Sequence, residues 1–360
     1  MNRRIFWAAF VVVSLACSTI LASAASAQGI PPDPPSSAAE IVMPSEIVAG
    51  EPATLAVLDS TGHLSQHASV SLSSGIQIET NALGRAEFLA PAMPGPLFAR
   101  ISNNSSVVAV SIVLEHAVPY SKTIDWAPEF ISIPDRFEIR GTGFHGDAGG
   151  NDVRFRQEPA FVLASSPVSM VILLKGDTAP GAGELTTGEH FTGPPTIIIA
   201  MAVELEVDGQ GLVAGQKANL QLRVRGTEQA QDLEIENLAP EVLKLPHGKQ
   251  AFTRTSGGED NSAHVEVQAI RGGDFSFHVH ILQNDGSTAN TVAARDFLTA
   301  ARQLASPSMA KRLDPLVSKL GHLDNDALPV IKQIDKMSGE TNNEQIKVLF
   351  TAARNSLMGR

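Results

Sequence analysis

The feature that most constrains this chain is a two-residue alternation of apolar and polar side chains, which recurs between turn residues from residue 41 to residue 281. Short alternating segments bounded by Gly, Pro, Asn and Asp are typical of half-buried β-strands. The clearest lie at residues 54–58, 107–113, 220–224 and 275–281, whereas residues 168–174 are a continuous apolar run that suits a strand inside a sandwich. Because a single pair of strands is barely stable alone, the pattern predicts a series of β-sandwiches.

The period changes in the last part of the chain, after the turn at residues 284–286. From there apolar residues recur every three or four positions, which is the spacing of amphipathic helices. Pro307 directly after Ser306 suits a helix start, and Asn343 can cap the last helix. Residues 284–360 are therefore predicted to form a small helical bundle.

The N-terminus carries a predicted export signal. Arg3 and Arg4 form a short basic segment, residues 5–22 are an apolar run, and residues 25–27 supply the small residues that signal peptidase prefers. Cleavage would remove residues 1–27 as a signal peptide and leave the mature protein outside the cytoplasm, either periplasmic or secreted. A retained membrane anchor is the alternative.

Cysteine usage and charge exclude several classes of function. The one cysteine, Cys17, lies inside the predicted signal, so the mature chain is expected to hold no disulfide and no thiolate metal site. Loss of Arg3 and Arg4 from the 27 basic residues leaves 25 against 38 acidic ones, a net charge of −13. Such a chain repels phosphate backbones, so nucleic acid is not expected as a partner. After residue 27 no apolar stretch is long enough for an integral membrane segment.

Proline-rich stretches divide the mature chain. A linker rich in proline precedes the first strands, and two further junctions contain Val118-Pro119 and Pro194-Pro195. The predicted units are the linker 28–40, three strand blocks at 41–117, 118–195 and 196–283, and the helical bundle 284–360.

An internal repeat relates the first and third blocks. Residues 47–57 align without a gap with residues 212–222, and both contain Val-Ala-Gly before an alternating strand. The shared glycine can adopt the positive φ that such a turn requires. The two blocks are therefore predicted to be one module type, with chance similarity as the alternative.

Two blocks resemble known families. Residues 137–144, F-E-I-R-G-T-G-F, are followed by N-D-V-R-F and S-S-P, and together they resemble the IPT/TIG immunoglobulin-like domain over about residues 127–174. In this motif Gly141 and Gly143 are expected to form a tight turn, and Phe144 to return inward as a plug.

The first block, with V-A-G-E-P-A at its start and N-A-L-G-R-A-E-F before a proline, is similar to bacterial Ig-like repeats of surface and adhesion proteins. The resemblances imply tandem immunoglobulin-like β-sandwiches followed by a small C-terminal α-helical bundle, hence a mainly β fold. They also imply a non-catalytic binding, adhesion or scaffold protein with a protein partner. The bundle is expected to dock that partner, and covering the third sandwich is the alternative.

The sequence contains none of the common catalytic motifs: no nucleophile elbow, zincin helix, phosphate-binding loop or dinucleotide fingerprint. It therefore predicts no enzyme. Carbohydrate is also not expected, because only Trp126 and Tyr120 remain as large stacking platforms and both lie at a block junction. The loop 144–152 gathers oxygen donors that calcium would use, but an ordinary solvated turn uses the same residues.

Histidines concentrate near the end of the third block. Residues 275–281 alternate so that His278 and His280 point away from the core. In the strand before, His264 and Glu266 also point outward, since the valines beside them point inward.

Residues 271–274, Arg-Gly-Gly-Asp, predict a hairpin turn between these two strands. Pairing core face with core face would then place His264, Glu266, His278 and His280 on one outer face. Three imidazoles and a carboxylate at cross-strand distances of about 5 Å can bind Zn²⁺, Ni²⁺ or Cu²⁺. No obligatory cofactor is predicted, and extracytoplasmic metal binding by these four residues is the second functional hypothesis. A solvated strand face without metal is the alternative.

Overall fold

The computed structural model describes residues 38–102, 104–115, 122–188, 193–207, 213–246, 248–282, 290–321 and 327–358. The predicted export signal, most of the linker, Tyr120 and the junctions near residues 118 and 285 lie outside these ranges. Within them the predicted fold class is confirmed, because strands run through residue 282 and helices follow. None of the described helices is long and apolar enough to cross a membrane.

The first block is a sandwich of two sheets around a core that includes Leu55, Val70 and Leu97. One sheet holds β1, β3 and β6, and the other has the order β2-β8-β7-β4-β5. The strands are β1 (Ala38–Val42), β2 (Glu46–Val48), β3 (Pro52–Asp59), β4 (Ser69–Leu72), β5 (Gln77–Glu79), β6 (Arg85–Leu89), β7 (Gly95–Ile101) and β8 (Asn104–Leu114).

The second block packs two sheets around Ile139, Phe155 and Leu185. Its strands are β9 (Thr123–Trp126), β10 (Phe130–Ser132), β11 (Arg136–Thr142), β12 (Val153–Phe155), β13 (Glu158–Pro159), β14 (Phe161–Ser165), β15 (Ser169–Leu173) and β16 (Gly181–Thr187). The order β14-β15-β11-β9 forms one sheet, while β13-β12-β16 forms part of the other.

The third block encloses Leu220, Leu222 and Ile235. Its strands are β17 (Thr196–Val207), β18 (Lys217–Arg225), β19 (Asp232–Asn237), β20 (Leu243–Lys244), β21 (Gln250–Arg254), β22 (Ser262–Ala269) and β23 (Phe277–Leu282). β17-β18-β22-β20 faces the three-stranded sheet β21-β19-β23.

The strand β17 belongs to both the second and the third block. Its first half pairs with β16 and its second half with β18. Ile198 and Ala200 join the second core, whereas Met201 joins the third core and Ile199 and Val203 pack against it. The predicted boundary at residue 195 thus falls just before a strand that both cores share.

The first and second blocks are joined through β3. Thr54 of β3 pairs with Ser165 of β14, which links the two blocks in one seven-stranded sheet. Leu55 and Val57 enter the first core, while Ala56 and its neighbours form a small cluster with β14 and β15. β3 is therefore buried on both faces.

The predicted repeat has the same hydrogen bonds in both copies. Glu51 N donates to Val48 O at 3.0 Å, and Gln216 N donates to Val213 O at 2.9 Å. The glycines between them, Gly50 and Gly215, have φ values of +73° and +88°, which a Cβ disfavours. The local turn is thus alike in the first and third blocks.

The two motif glycines of the second block have different physical reasons. Gly143 has φ +71°, as a tight turn requires. Gly141 is instead needed for close approach, because a Cβ there would lie 1.9 Å from the carbonyl oxygen of Thr123. Phe144 is buried, as expected for an inward plug.

A buried cluster of charged and polar groups also joins the first two blocks. Arg140 donates to Glu46 through Nε at 3.1 Å and through the terminal nitrogen at 2.5 Å. The carboxylate of Glu138 accepts from Ser45 N at 2.7 Å and from the hydroxyl of Ser169. Each of these bonds pairs a polar or charged atom that would be costly to bury alone.

Burial raises the pKa of Glu46 to about 7, although Arg140 opposes the rise; the neighbouring Asp296 adds to it. Burial likewise raises the pKa of Glu138, against hydrogen bonds from Ser169 and Ser45. Protonation of this joint is therefore coupled to folding.

The helices are α1 (Thr291–Leu304), α2 (Pro307–Leu320), α3 (Leu328–Glu340) and α4 (Glu344–Leu357). The side chain of Asn343 accepts from Gln345 N and Ile346 N, so the predicted cap is confirmed, and Pro307 is the first residue of α2. In this way capping and the amphipathic period fix the helix limits.

The bundle packs on the first sandwich. Val110 and Ile112 of β8 belong to the same hydrophobic cluster as the inner faces of the helices, and Phe98 and Leu114 pack against it. The alternative that the bundle covers the third sandwich is wrong in this respect. The reason is that β8 has two apolar faces: Val113, the residue after Ile112, points into the sandwich core, while Val110 and Ile112 face the helices.

Glu46→Gln is expected to remove a pH-dependent part of the stability. A carboxyl whose pKa is higher in the folded than in the unfolded state stabilises the fold. This contribution is complete below the pKa of the unfolded state and is lost as the pH rises through the pKa of the folded state. A shift from 4.5 to about 7 corresponds to about 3 kcal/mol at most. Urea unfolding should thus show that the free energy of unfolding falls less between pH 5 and pH 8 in the variant than in the wild type. Glu40→Gln is the control, because Glu40 pairs with Arg136 but is 46 % exposed; equal pH dependence in wild type and Glu46→Gln would contradict the prediction.

Ile112→Ala is expected to weaken the docking of the bundle. Removing these buried methyl groups should cost about 2–4 kcal/mol, and hydrogen exchange should accelerate in α1 and α4. Ile76→Ala is the matched control, since Ile76 is 42 % exposed. Unchanged exchange in both helices would rule out this contact as the anchor of the bundle.

Candidate metal centre

The hairpin predicted between the histidine strands is wrong. β22 pairs with β18 and β20, whereas β23 pairs with β19, so the two strands lie in opposite sheets of the third sandwich. The connection between them crosses from one sheet to the other, with Ile270 N and Arg271 N donating to Val242 O. The alternation of side chains within each strand is sufficient to assign its two faces, but it does not show which strand it pairs with.

His264 and Glu266 lie on the exposed face of β22, as their alternation predicts. His264 faces Gln221 of β18, and Glu266 forms an ion pair with Lys217 at 2.8 Å. These two residues are therefore not brought together with His278 and His280.

His278 and His280 lie side by side on the outer face of β23, with Phe277 and Val279 in the core. Their ring centroids are 4.0 Å apart. Both contact Asp135: His278 Nε2 lies 3.1 Å from Oδ1, and His280 Nδ1 lies 3.6 Å from Oδ2. One ligand atom from each of the three residues lies within 4.8 Å of the others. Half of the predicted set thus forms a cluster with a carboxylate from the second block.

Asp135 is held in place by the shared strand. β10 pairs in parallel with β17, Phe130 facing Ile199, and Ile133 N donates to Met201 O at 2.8 Å. Asp135 N then closes a turn onto Ser132 O at 3.0 Å. The turn places the carboxylate of Asp135 beside His278 and His280 of β23.

Two further carboxylates flank the histidines. On β19, Glu234 faces His280 and Glu236 faces His278, which places their Cβ atoms about 5 Å apart. Together with Asp135, three acidic side chains surround two imidazoles, and all five are partly buried. The site therefore favours a positive charge.

The electrostatics of Asp135 agree with this reading. Burial alone would raise the pKa of Asp135, but hydrogen bonds and charge from His278 and His280 outweigh it and hold the pKa below its usual range. The carboxylate is therefore ionised at neutral pH and available as a ligand or acceptor.

The loop 144–152, the possible calcium site, uses its side chains for hydrogen bonds within the protein. Asp147 Oδ1 accepts from Gly149 N at 2.8 Å, and the amide of Asn151 donates to His145 O, Asp147 O and Ser165 Oγ. These bonds agree with the reading of this segment as an ordinary turn.

Of the two aromatic residues that could stack on a carbohydrate, Trp126 lies within the described residues. It is half-buried in β9, opposite Arg140.

No protein-family model and no curated protein matches this chain. Solved structures with partial likeness include SGBP-B of the Bacteroides ovatus mixed-linkage glucan utilization locus, bound to a heptasaccharide, at 10% identity and TM-score 0.23, covering 69% of this chain and 76% of that one. The Escherichia coli adhesin FdeC gives 10% identity and TM-score 0.20 over 67% and 91% of the two chains. The plexin A4 extracellular region gives 10% identity and TM-score 0.26, and the match covers 70% of this chain and 24% of that one.

Proposed function

We propose that this protein is a non-catalytic exported scaffold, whose sandwiches hold a protein-binding surface at a fixed spacing. The single observation that supports this function most directly is the sharing of strands and sheets between neighbouring blocks. A chain built only to connect domains would use flexible linkers instead.

The joint between the first and second blocks contains several independent side-chain links. Thr54 Oγ1 donates to Gly146 O at 2.7 Å and accepts from Ala148 N at 3.1 Å. Ser166 Oγ donates to Glu46 O at 2.7 Å. These groups are buried, so rotation about the joint would leave them unsatisfied at a cost of about 1–3 kcal/mol each. This cost favours one relative orientation of the two blocks.

The second and third blocks share a stronger link. Bending β17 between Ala200 and Ala202 would disrupt backbone pairs to β16 on one side and to β18 on the other. Because both cores also include side chains of this strand, its rotation would open both. The three sandwiches are therefore suited to act as a rigid spacer.

Export and a protein partner complete the proposal. The N-terminal residues 1–27 supply the signal, and the acidic mature chain disfavours phosphate-rich partners. The partner-binding surface itself is not assigned to particular residues.

A distance measurement between the first and third blocks tests the spacer. Since Cys17 is the one cysteine, spin labels can be placed on the mature chain at Gln77→Cys and Asn219→Cys, two exposed strand positions. Pulsed electron–electron double resonance should give one narrow distance distribution.

The variant Thr54→Val/Ser166→Ala should broaden this distribution, because it removes the buried links of the first joint. Thr61→Ala is the control, since Thr61 bonds Asp59 and His63 within its own exposed loop. A broad distance distribution without the Thr54→Val/Ser166→Ala changes would contradict the rigid-spacer function.

A further inference from the structure

We propose that Asp135, His278 and His280 bind one divalent transition-metal ion that bridges the second and third sandwiches. The inference goes beyond the scaffold function and does not depend on it. It replaces the sequence-predicted set by keeping His278 and His280 and exchanging His264 and Glu266 for Asp135.

The donor set matches the chemistry of Zn²⁺ and its neighbours. Zinc binds imidazole nitrogen and carboxylate oxygen at about 2.0–2.2 Å, and a catalytic or open site uses three protein ligands. In a tetrahedral site the ligand atoms are then about 3.4 Å apart. In this structure His278 Nε2 and Asp135 Oδ1 are 3.1 Å apart, His280 Nδ1 and Asp135 Oδ2 are 3.6 Å apart, and the whole set spans no more than 4.8 Å. To bind the ion, the ligand atoms must therefore approach one another from at most 4.8 Å to about 3.4 Å.

The remaining coordination position faces solvent. The side chain of His278 is 39 % exposed, whereas those of His280 and Asp135 are 19 % and 27 % exposed. An ion can therefore enter from the side of His278 and keep a water there. Glu234 and Glu236 lie beside the histidines on β19 and add negative charge without being required as ligands.

Metal and proton compete for the same atoms. In the free protein His278 Nε2 shares a hydrogen bond with Asp135 Oδ1, and His280 Nδ1 lies 3.6 Å from Asp135 Oδ2; a metal ion must displace a proton that is held between these atoms. Because Asp135 comes from the turn after β10 and the histidines come from β23, the ion would also tie the two sandwiches together.

Titration with Zn²⁺ tests the site. Isothermal titration of the mature protein at pH 7.5 should show one ion per chain with a sub-micromolar Kd, and Mg²⁺ should bind far more weakly because it prefers oxygen ligands. His278→Ala, His280→Ala and Asp135→Asn should each raise the Kd at least tenfold. Zn²⁺ should raise the thermal midpoint of the wild type but not of these variants.

His264→Ala is the matched control, because His264 is an exposed histidine on the opposite sheet of the same sandwich. It should leave the Kd unchanged. If a variant at residue 278 or 280 fails to fold, His278→Gln is used in its place. In addition, Co²⁺ bound to the wild type should give a visible absorption band, as mixed nitrogen and oxygen ligands produce. No heat with Zn²⁺, Ni²⁺ or Cu²⁺, or an equal loss in His264→Ala, would overturn the proposal.

Discussion

Backbone pairing along β17 is the constraint on which the arrangement of the second and third blocks depends. This strand has twelve residues, and its partners change from β16 to β18 near its middle. Since successive side chains point to opposite faces, even positions such as Ile198 can serve one core while odd positions such as Met201 serve the other. A slip by one residue would reverse both assignments at once. The register of this strand is therefore determined twice.

The contacts of the first block with its neighbours depend on a buried charge cluster and on a strand that is apolar on both faces. Glu46 brings together Arg140 of the second block and Asp296 of α1, so three parts of the chain meet at one carboxyl whose pKa is raised by burial. Nearby, β8 alternates between Val113 in the sandwich and Ile112 against the helices. The bundle thus completes the outer face of the first sandwich, as a third layer would.

Much of the fold could be predicted from sequence because the determinants are local. Alternation identified strands such as β11 and β22, and Asn343 and Pro307 marked helix starts. The exposed faces of His264 and His278 also followed from parity. What parity cannot give is the partner of a strand, and the turn-like Arg-Gly-Gly-Asp segment wrongly indicated a hairpin. The apolar run at residues 197–203 could have indicated a strand buried on both faces, although it could not say which two cores the strand joins.

The carboxylate of the candidate metal centre could not be found from sequence for the same reason. Asp135 and His278 are 143 residues apart, and in sequence Asp135 reads as an ordinary turn residue after Pro134. Its position follows from β10 pairing with β17 and from the bond of Ile133 N to Met201 O. The register that divides β17 between two cores therefore also places the carboxylate over the histidines. A change that shifts β17 should thus disturb the candidate metal centre even though no residue of β17 is a proposed ligand.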